Sequence, residues 1–247
     1  GEQPFFLMLS FQAPHVPLQA PRERIARHSE LPRRRRVLHA MVESMDAAIG
    51  SVLAELDASG RAAHTLVVFL ADNGAGEVAR TGGLRGDKGT TYEGGIRAPA
   101  AMRWPGVLPA GTASDQRLRS EDLFATVLDA LGLTHPARAP ALDGESVWAE
   151  LRRGTTRARG PFFFAADSRH ARSRALLDGR FKLVQRRTRG ADDWSSELFD
   201  IEDDPSERAD LSSTDPQRAR RFAERLGTWV DSEHGKAPRI TDDERDG

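Results

Sequence analysis

Cysteine is absent from all 247 positions. That excludes disulfides, thiolate metal sites and a cysteine nucleophile within these residues, while assigning no compartment. Lysine is nearly as scarce. The 36 basic residues include only Lys88, Lys182 and Lys236, the rest being arginine. This bias reflects nucleotide composition more than function, yet it makes a lysine inside a glycine-rich loop stand out. No apolar run approaches the roughly 20 residues of a membrane helix, and no leader-like segment is visible. Neither sign of charge dominates: the formal net charge is -1, which gives no reason to expect nucleic acid or a membrane as partner.

What is present is a globular composition, 38% hydrophobic and 30% charged, long enough for one sizeable α/β core with a small appended domain. Residues 5–11, within PFFLMLSF, read as a parallel strand buried on both faces. A sequence opening inside a core strand is expected to be a piece of something longer. The loop APHVPLQAP follows, its prolines stiffening the chain around His15. Over 33–57, Val37, Met41, Met45, Ala48, Ile49, Val52 and Leu56 recur at helical spacing, with Gly60 as the stop. The RRRR run at 33–36 reads as a solvated first turn rather than a nucleic-acid patch. Residues 65–70 form the next strand, so strand–helix–strand spacing predicts a βαβ unit and a parallel sheet. A short strand over 96–102 and a helix over 121–131 come next. Beyond Gly154 the pattern changes to short strands separated by turns, in PFFFAAD, SRALLDGRFKLVQRR and SSELFDI, and then to an amphipathic helix over 217–230 carrying Phe222, Leu226 and Trp229. The expected division is 1–154 for the main α/β domain, 155–232 for a small α+β subdomain, and 233–247 for a polar tail.

Ligands of parallel sheets gather at the carboxyl ends of strands, where this reading puts both His15 and the pair Asp72–Asn73. Asp72 and Asn73 offer hard oxygen donors suited to Ca²⁺ or Mg²⁺; Asp-Asn-Gly is also simply a good turn sequence. Lys88 lies in GGLRGDKGTTYEGG, where glycines let the backbone approach a ligand and an ammonium can meet an anionic oxygen. The loop is not a phosphate-binding GxxxxGK[ST] sequence, and an exposed turn lysine is the plain alternative. His15 could donate to an oxyanion or protonate a leaving group, or be an ordinary surface histidine. Together these residues suit one substrate, an anion of sulfate or phosphate type.

The ordered blocks PFFLMLSFQAPHVPLQAP, MVESMDAAIGSVLAELDASG, TLVVFLADNGA, GGLRGDKGTTYEGGIRAPAAMRWPG, EDLFATVLDALG, LDGESVW, GRFKLVQ and ELFDIEDDPSERADL resemble the C-terminal two-thirds of a type I, formylglycine-dependent sulfatase of the arylsulfatase kind, over about residues 4–230. The resemblance implies an alkaline-phosphatase-like α/β fold, a mostly parallel sheet flanked by helices and N-terminally truncated here, with a small C-terminal antiparallel α+β subdomain. It implies sulfuric ester hydrolysis at a site holding Ca²⁺, with Mg²⁺ the other candidate. Asp72 and Asn73 become metal ligands, and His15 and Lys88 the catalytic pair that binds the sulfate and the leaving oxygen. A sulfated small molecule or sulfated sugar is the implied substrate. Periplasmic or extracellular location follows from family habit alone.

The departures from the pattern bear on activity. No C/S-x-P-x-R segment exists among these residues, so the formylglycine nucleophile is absent. The Asp-Asp pairs 192–193, 203–204 and 242–243 lie late in the chain, where they cannot supply the family's other acidic ligands, and Ala71 stands where Ser or Thr is usual. The chain alone is therefore expected to be inactive, and its partner would be an N-terminal portion of the same fold. Two other readings stand beside this one: a phosphate or phosphonate monoesterase of the same superfamily, and a non-catalytic sulfatase-like binding module. Arg80 and Arg169 could contact an acidic sugar or be solvated surface residues.

Overall fold

Pro32 sets the start of the longest helix, because its ring fixes φ and it has no N–H to leave unpaired. In the computed structural model, which describes residues 3–76, 78–168 and 170–232, α2 (Arg33–Ala58) follows α1 (Arg22–Ala26). Most of the predicted stripe is on the less exposed side of α2: Met41 is buried, and Val37, Met45, Ile49, Val52 and Leu56 are half-buried, while Ala48 is exposed. By length and mean hydropathy, 1.3 over its best window, α2 would also pass as a membrane span. Glu43 lies within it, paired with Arg24, Arg27 and His28.

Strand β1 (Val67–Leu70) pairs with β2 (Ala100–Arg103) in a two-stranded sheet, with the single-turn α3 (Glu93–Ile96) between them in sequence. This is where the larger parallel sheet was expected. Residues 5–11 contain no strand, and Phe6 and Met8 are 88% and 74% exposed. The physical reason is that a strand exists only as half of a ladder. Apolar composition supplies the propensity but not the partner, and the expected βαβ unit has no first strand among the described residues. The segments predicted at 65–70 and 96–102 become β1 and β2 with shifted ends.

Helices α4 (Asp122–Ala130) and α5 (Trp148–Arg153) lead to four strands, β3 (Phe162–Asp167), β4 (Ala171–Asp178), β5 (Phe181–Thr188) and β6 (Ser195–Asp200), and then to α6 (Pro216–Asp231). The strands form one antiparallel meander in the order β3-β4-β5-β6. Asp178 pairs with Phe181 across a two-residue turn that Gly179, at φ +58°, makes possible.

This sheet is covered on both faces. On one, Leu176, Leu183 and Leu198 pack with Phe222 and Leu226 of α6. On the other, Ala175, Val184 and Phe199 pack with Tyr92, just before α3. Alternation along β5 sends Leu183 to the first face and Lys182 and Val184 to the second.

The chain divides into two compact units, Gly1–Val67 with Arg103–Gly106 and Val68–Met102 with Val107–Gly247. The second contains the Asp72 and Lys88 segments as well as the four-stranded sheet. Arg169 and the expected tail over 233–247 lie outside the described residues.

Candidate functional site

The end of β1 carries the first candidates. Ala71 donates its N–H to the Pro99 carbonyl, 3.0 Å, which continues the β1–β2 alignment to the threshold of Asp72. Asp72 is exposed and Asn73 half-buried. Directly after them the chain is pinned twice: Gly74 N–H donates to the Gly95 carbonyl at 2.9 Å, and the Ala75 carbonyl accepts from Lys88 N–H at 2.9 Å. The Asp72–Asn73 turn and the Lys88 turn are therefore joined through the backbone.

The glycines explain how the segments come so close. A Cβ on Gly74 would lie 2.1 Å from the Gly94 carbonyl oxygen, and one on Gly94 would lie 2.3 Å from the Gly86 oxygen. Only hydrogen fits at such approaches. Gly94 N–H donates to the Arg85 carbonyl at 2.7 Å, and Thr90 donates through both N–H and Oγ1 to the Asp87 carbonyl, at 3.0 and 2.8 Å. Lys88 sits exposed on this knot. Among the described residues, no side-chain hydrogen bond or ion pair engages Asp72, Asn73 or Lys88.

His15 belongs to the other compact unit. It is exposed, between the cis Ala13–Pro14 and Val16–Pro17 bonds. Its N–H donates to the Gln12 carbonyl at 2.8 Å, and Nδ1 lies 3.0 Å from the Val16 carbonyl. If Nδ1 carries the proton in that contact, Nε2 is left as the free acceptor. Arg80 is exposed.

Asp72 and Asn73 supply the donor chemistry of a hard cation, but two donors leave most of a Ca²⁺ shell of six to eight oxygens to other groups. Among the described residues, no three His, Cys, Asp or Glu side chains form a metal-holding group. Of the late acidic pairs, 203–204 is engaged elsewhere, and 242–243 lies outside the described residues. Asp204 accepts from Arg208 N–H and Ala209 N–H at 2.7 and 2.8 Å, and Asp203 meets Arg180 at 2.5 Å.

Behind the Lys88 knot is a buried ionic cluster that sequence reading did not find. Lys182 Nζ, fully buried, lies 2.8 Å from Glu93 Oε1 and 2.8 Å from Glu207 Oε1. Glu207, also fully buried, accepts the Glu93 N–H at 2.7 Å through its other oxygen. Arg85 forks onto Glu197 at 3.0 and 3.2 Å, donates to the Glu207 carbonyl at 3.0 Å, and lies 4.1 Å over the Tyr92 ring. The Tyr92 hydroxyl donates to Glu197.

Burial, chiefly, and then the Glu197 contact push the Tyr92 phenol up. Burial also raises the Glu207 carboxyl against the pull of Lys182. The partners are 89 and 114 residues apart in sequence, so no local pattern announces them. The only signal was a lone lysine on an otherwise apolar stretch of strand, FKLV.

Comparison with known proteins follows the same segments. A family model described as sulfatase matches residues 1–133, and one described as N-sulphoglucosamine sulphohydrolase, C-terminal, matches residues 85–227. Human N-acetylgalactosamine-6-sulfatase is 36% identical over 171 residues, which is 67% of this chain and 32% of that protein. Rat steryl-sulfatase is 43% identical over 107 residues, 38% of this chain and 18% of that protein. The chain thus spans about a third of the length of the N-acetylgalactosamine-6-sulfatases it matches. Among solved structures, Ps i-CgsB superposes with a TM-score of 0.84 at 27% identity, over 95% of this chain and 52% of the other. The same protein is also known in complex with k-i-k-neocarrahexaose.

Proposed function

The chain belongs to the sulfatase family, and from that premise we propose that it carries part of the active site of a sulfuric ester hydrolase with an alkaline-phosphatase-like fold. The observation that carries this reading is the backbone bonding of the Asp72–Asn73 turn to the Lys88 turn, 2.9 Å at both Gly74–Gly95 and Ala75–Lys88. It sets two oxygen donors and an exposed cation on one backbone-bonded knot.

In this reading Asp72 and Asn73 are two ligands of a Ca²⁺, with Mg²⁺ the alternative. When bound, the dication offsets the negative charge of the sulfuryl oxygens. Lys88 binds a sulfuryl oxygen through its ammonium and strengthens that contact as charge builds in the transition state. His15 is the proposed acid that protonates the departing oxygen, which requires the imidazolium form, with Nε2 carrying a proton while Nδ1 stays on the Val16 carbonyl. The reaction breaks the ester S–O bond and adds the elements of water, giving an alcohol and hydrogen sulfate. These residues contain no C/S-x-P-x-R segment, so the nucleophile and the remaining metal ligands have to come from outside them. The substrate is a sulfated small molecule or sulfated sugar.

The test is hydrolysis of an aryl sulfate, with aryl phosphate in parallel, by the enzyme that contains these residues. Lys88→Ala should lower kcat/KM about 100- to 1,000-fold, the scale of losing one preorganised charge-stabilising donor, and a chelator should abolish turnover. The 247-residue chain alone should be inactive. Ca²⁺-dependent turnover by that chain alone, or full activity after Lys88→Ala, would overturn the reading. Preference for aryl phosphate would move it to the phosphomonoesterases.

A further inference from the structure

We propose that Lys182, through Glu93 and Glu207, is a positioning residue for Lys88, so that the antiparallel sheet sets the geometry of the anion site. This rests on the reading of Lys88 as the group that binds the sulfate.

The argument starts from a single ammonium. Lys182 stands on β5, Glu93 opens α3 five residues after Lys88, and Glu207 lies in the turn beyond β6. Three segments remote in sequence therefore meet on one buried cation, at 2.8 Å to each carboxylate. Glu207 holds Glu93 a second time, through its backbone N–H at 2.7 Å. Holding Glu93 in this way fixes where α3 begins. It also uses an uncommon backbone: Glu207 has φ +52°, the one non-glycine residue with positive φ among the described residues, a conformation sparsely open to such residues.

From Glu93 the constraint passes to Lys88 through contacts that leave no slack. Gly94 N–H binds the Arg85 carbonyl at 2.7 Å, Gly95 accepts from Gly74, and Lys88 N–H is bound to Ala75. The close glycine approaches leave no room for α3 to slide independently of the turn. Arg85, at the base of the same turn, is fixed to β6 by its fork onto Glu197 and to Glu207 by the carbonyl bond. The Lys88 turn is thus tied to the sheet at both ends, at Arg85 and at Glu93.

Stability alone does not account for this arrangement. Apolar residues of similar volume commonly stabilise such a position as well or better, because desolvating buried ions costs more than their attraction returns. What directional charge pairs add is a defined geometry, and a misplacement of about 1 Å at a reacting group costs about 100-fold in rate.

Lys182→Met, which keeps the length and removes the charge, is the test, with two readouts. In the 247-residue chain, exchange of the Lys88 and Gly94 amides should speed up about tenfold or more, while the Leu176 and Leu183 amides of the β4–β5 ladder change about threefold at most. In the enzyme containing these residues, kcat on an aryl sulfate should fall about 30- to 100-fold with KM within about threefold. Unchanged Lys88 and Gly94 amides, a uniform acceleration of all amides in a folded chain, or selective acceleration with unchanged kcat each overturn the proposal. If Lys182→Met fails to fold, Glu93→Gln decides by the same readouts, since it keeps the side chain's size and removes the charge that Lys182 holds at 2.8 Å. A Lys88→Ala control separates the two readings. Intact turnover in Lys88→Ala defeats the assignment of Lys88 itself, whereas lost turnover there beside a silent Lys182→Met defeats only the positioning role.

Discussion

Asp122 shows what a buried charge needs in order to be tolerated. Its carboxylate is fully buried on α4, and four donors converge on it: Arg159 Nη1 and Nη2 at 3.0 and 2.9 Å, Arg119 N–H at 2.7 Å and Glu145 N–H at 2.9 Å. Burial raises its pKa, but the Arg159 and backbone hydrogen bonds outweigh that and leave it below the ordinary carboxylate value. Because the folded pKa is depressed, this stabilisation is complete above the unfolded pKa and is lost as pH falls through the folded one. Asp122→Ala should cost about 3–5 kcal/mol at neutral pH, as for a buried pair broken on one side. The loss should shrink as pH falls below the unfolded carboxylate pKa and on through the depressed folded one, as read by denaturant midpoints along a pH series. A pH-independent loss would mean that the carboxylate contributes shape rather than charge. At this scale the sequence was legible where chemistry is local: Lys88 stood out for its glycines, and Asp72–Asn73 for ending a strand. The Lys182, Glu93 and Glu207 contacts, like Asp122 with Arg159, arise only when distant segments fold together.

Elements divide along the same line. The period of α2 was readable because each turn repeats the one before, and α6 was readable from Phe222, Leu226 and Trp229; its N-cap, Asp215, is added by the structure. The antiparallel character of the β3–β6 sheet was readable from short apolar runs separated by turns. Residues 5–11 carried an equally strong apolar signal and formed no strand among the described residues, because pairing is a property of two segments. The single turn α3 was hidden by its own sequence: EGG has poor helix propensity, and close packing of Gly94 and Gly95 overrides it. Gly94→Ala tests that account. Its Cβ would meet the Arg85 and Gly86 carbonyl oxygens at 2.6 and 2.3 Å, so the change should destabilise by about 1–3 kcal/mol or more, although alanine is the better helix former. A stabilised Gly94→Ala would show that the loop can relax and that the knot is not tight. On the other face of the sheet, Leu226→Ala should cost about 2–5 kcal/mol, measured by chemical denaturation.

For the molecule as a whole, charge balance and exposed apolar surface act together. The sequence pI is about 6.7, and Phe5, Phe6, Leu7 and Met8 are all more than half exposed. The 247-residue chain should therefore self-associate most near its pI, where mutual repulsion vanishes, and Phe6→Lys should suppress light scattering there. Unchanged scattering in that variant would place the sticky surface elsewhere. The sheet that separates the two cores has a further consequence for folding fidelity. Both of its faces are apolar enough to be buried, so hydrophobicity alone does not tell them apart, and a one-residue slip of β5 would simply exchange them. Lys182 breaks that degeneracy. In the native register its ammonium meets two carboxylates; slipped by one, it would be driven into Leu226 and Phe222 with no counter-charge. A one-residue slip of β5 would therefore cost the burial of an uncompensated charge, a penalty added to the register that the two-residue turn already sets.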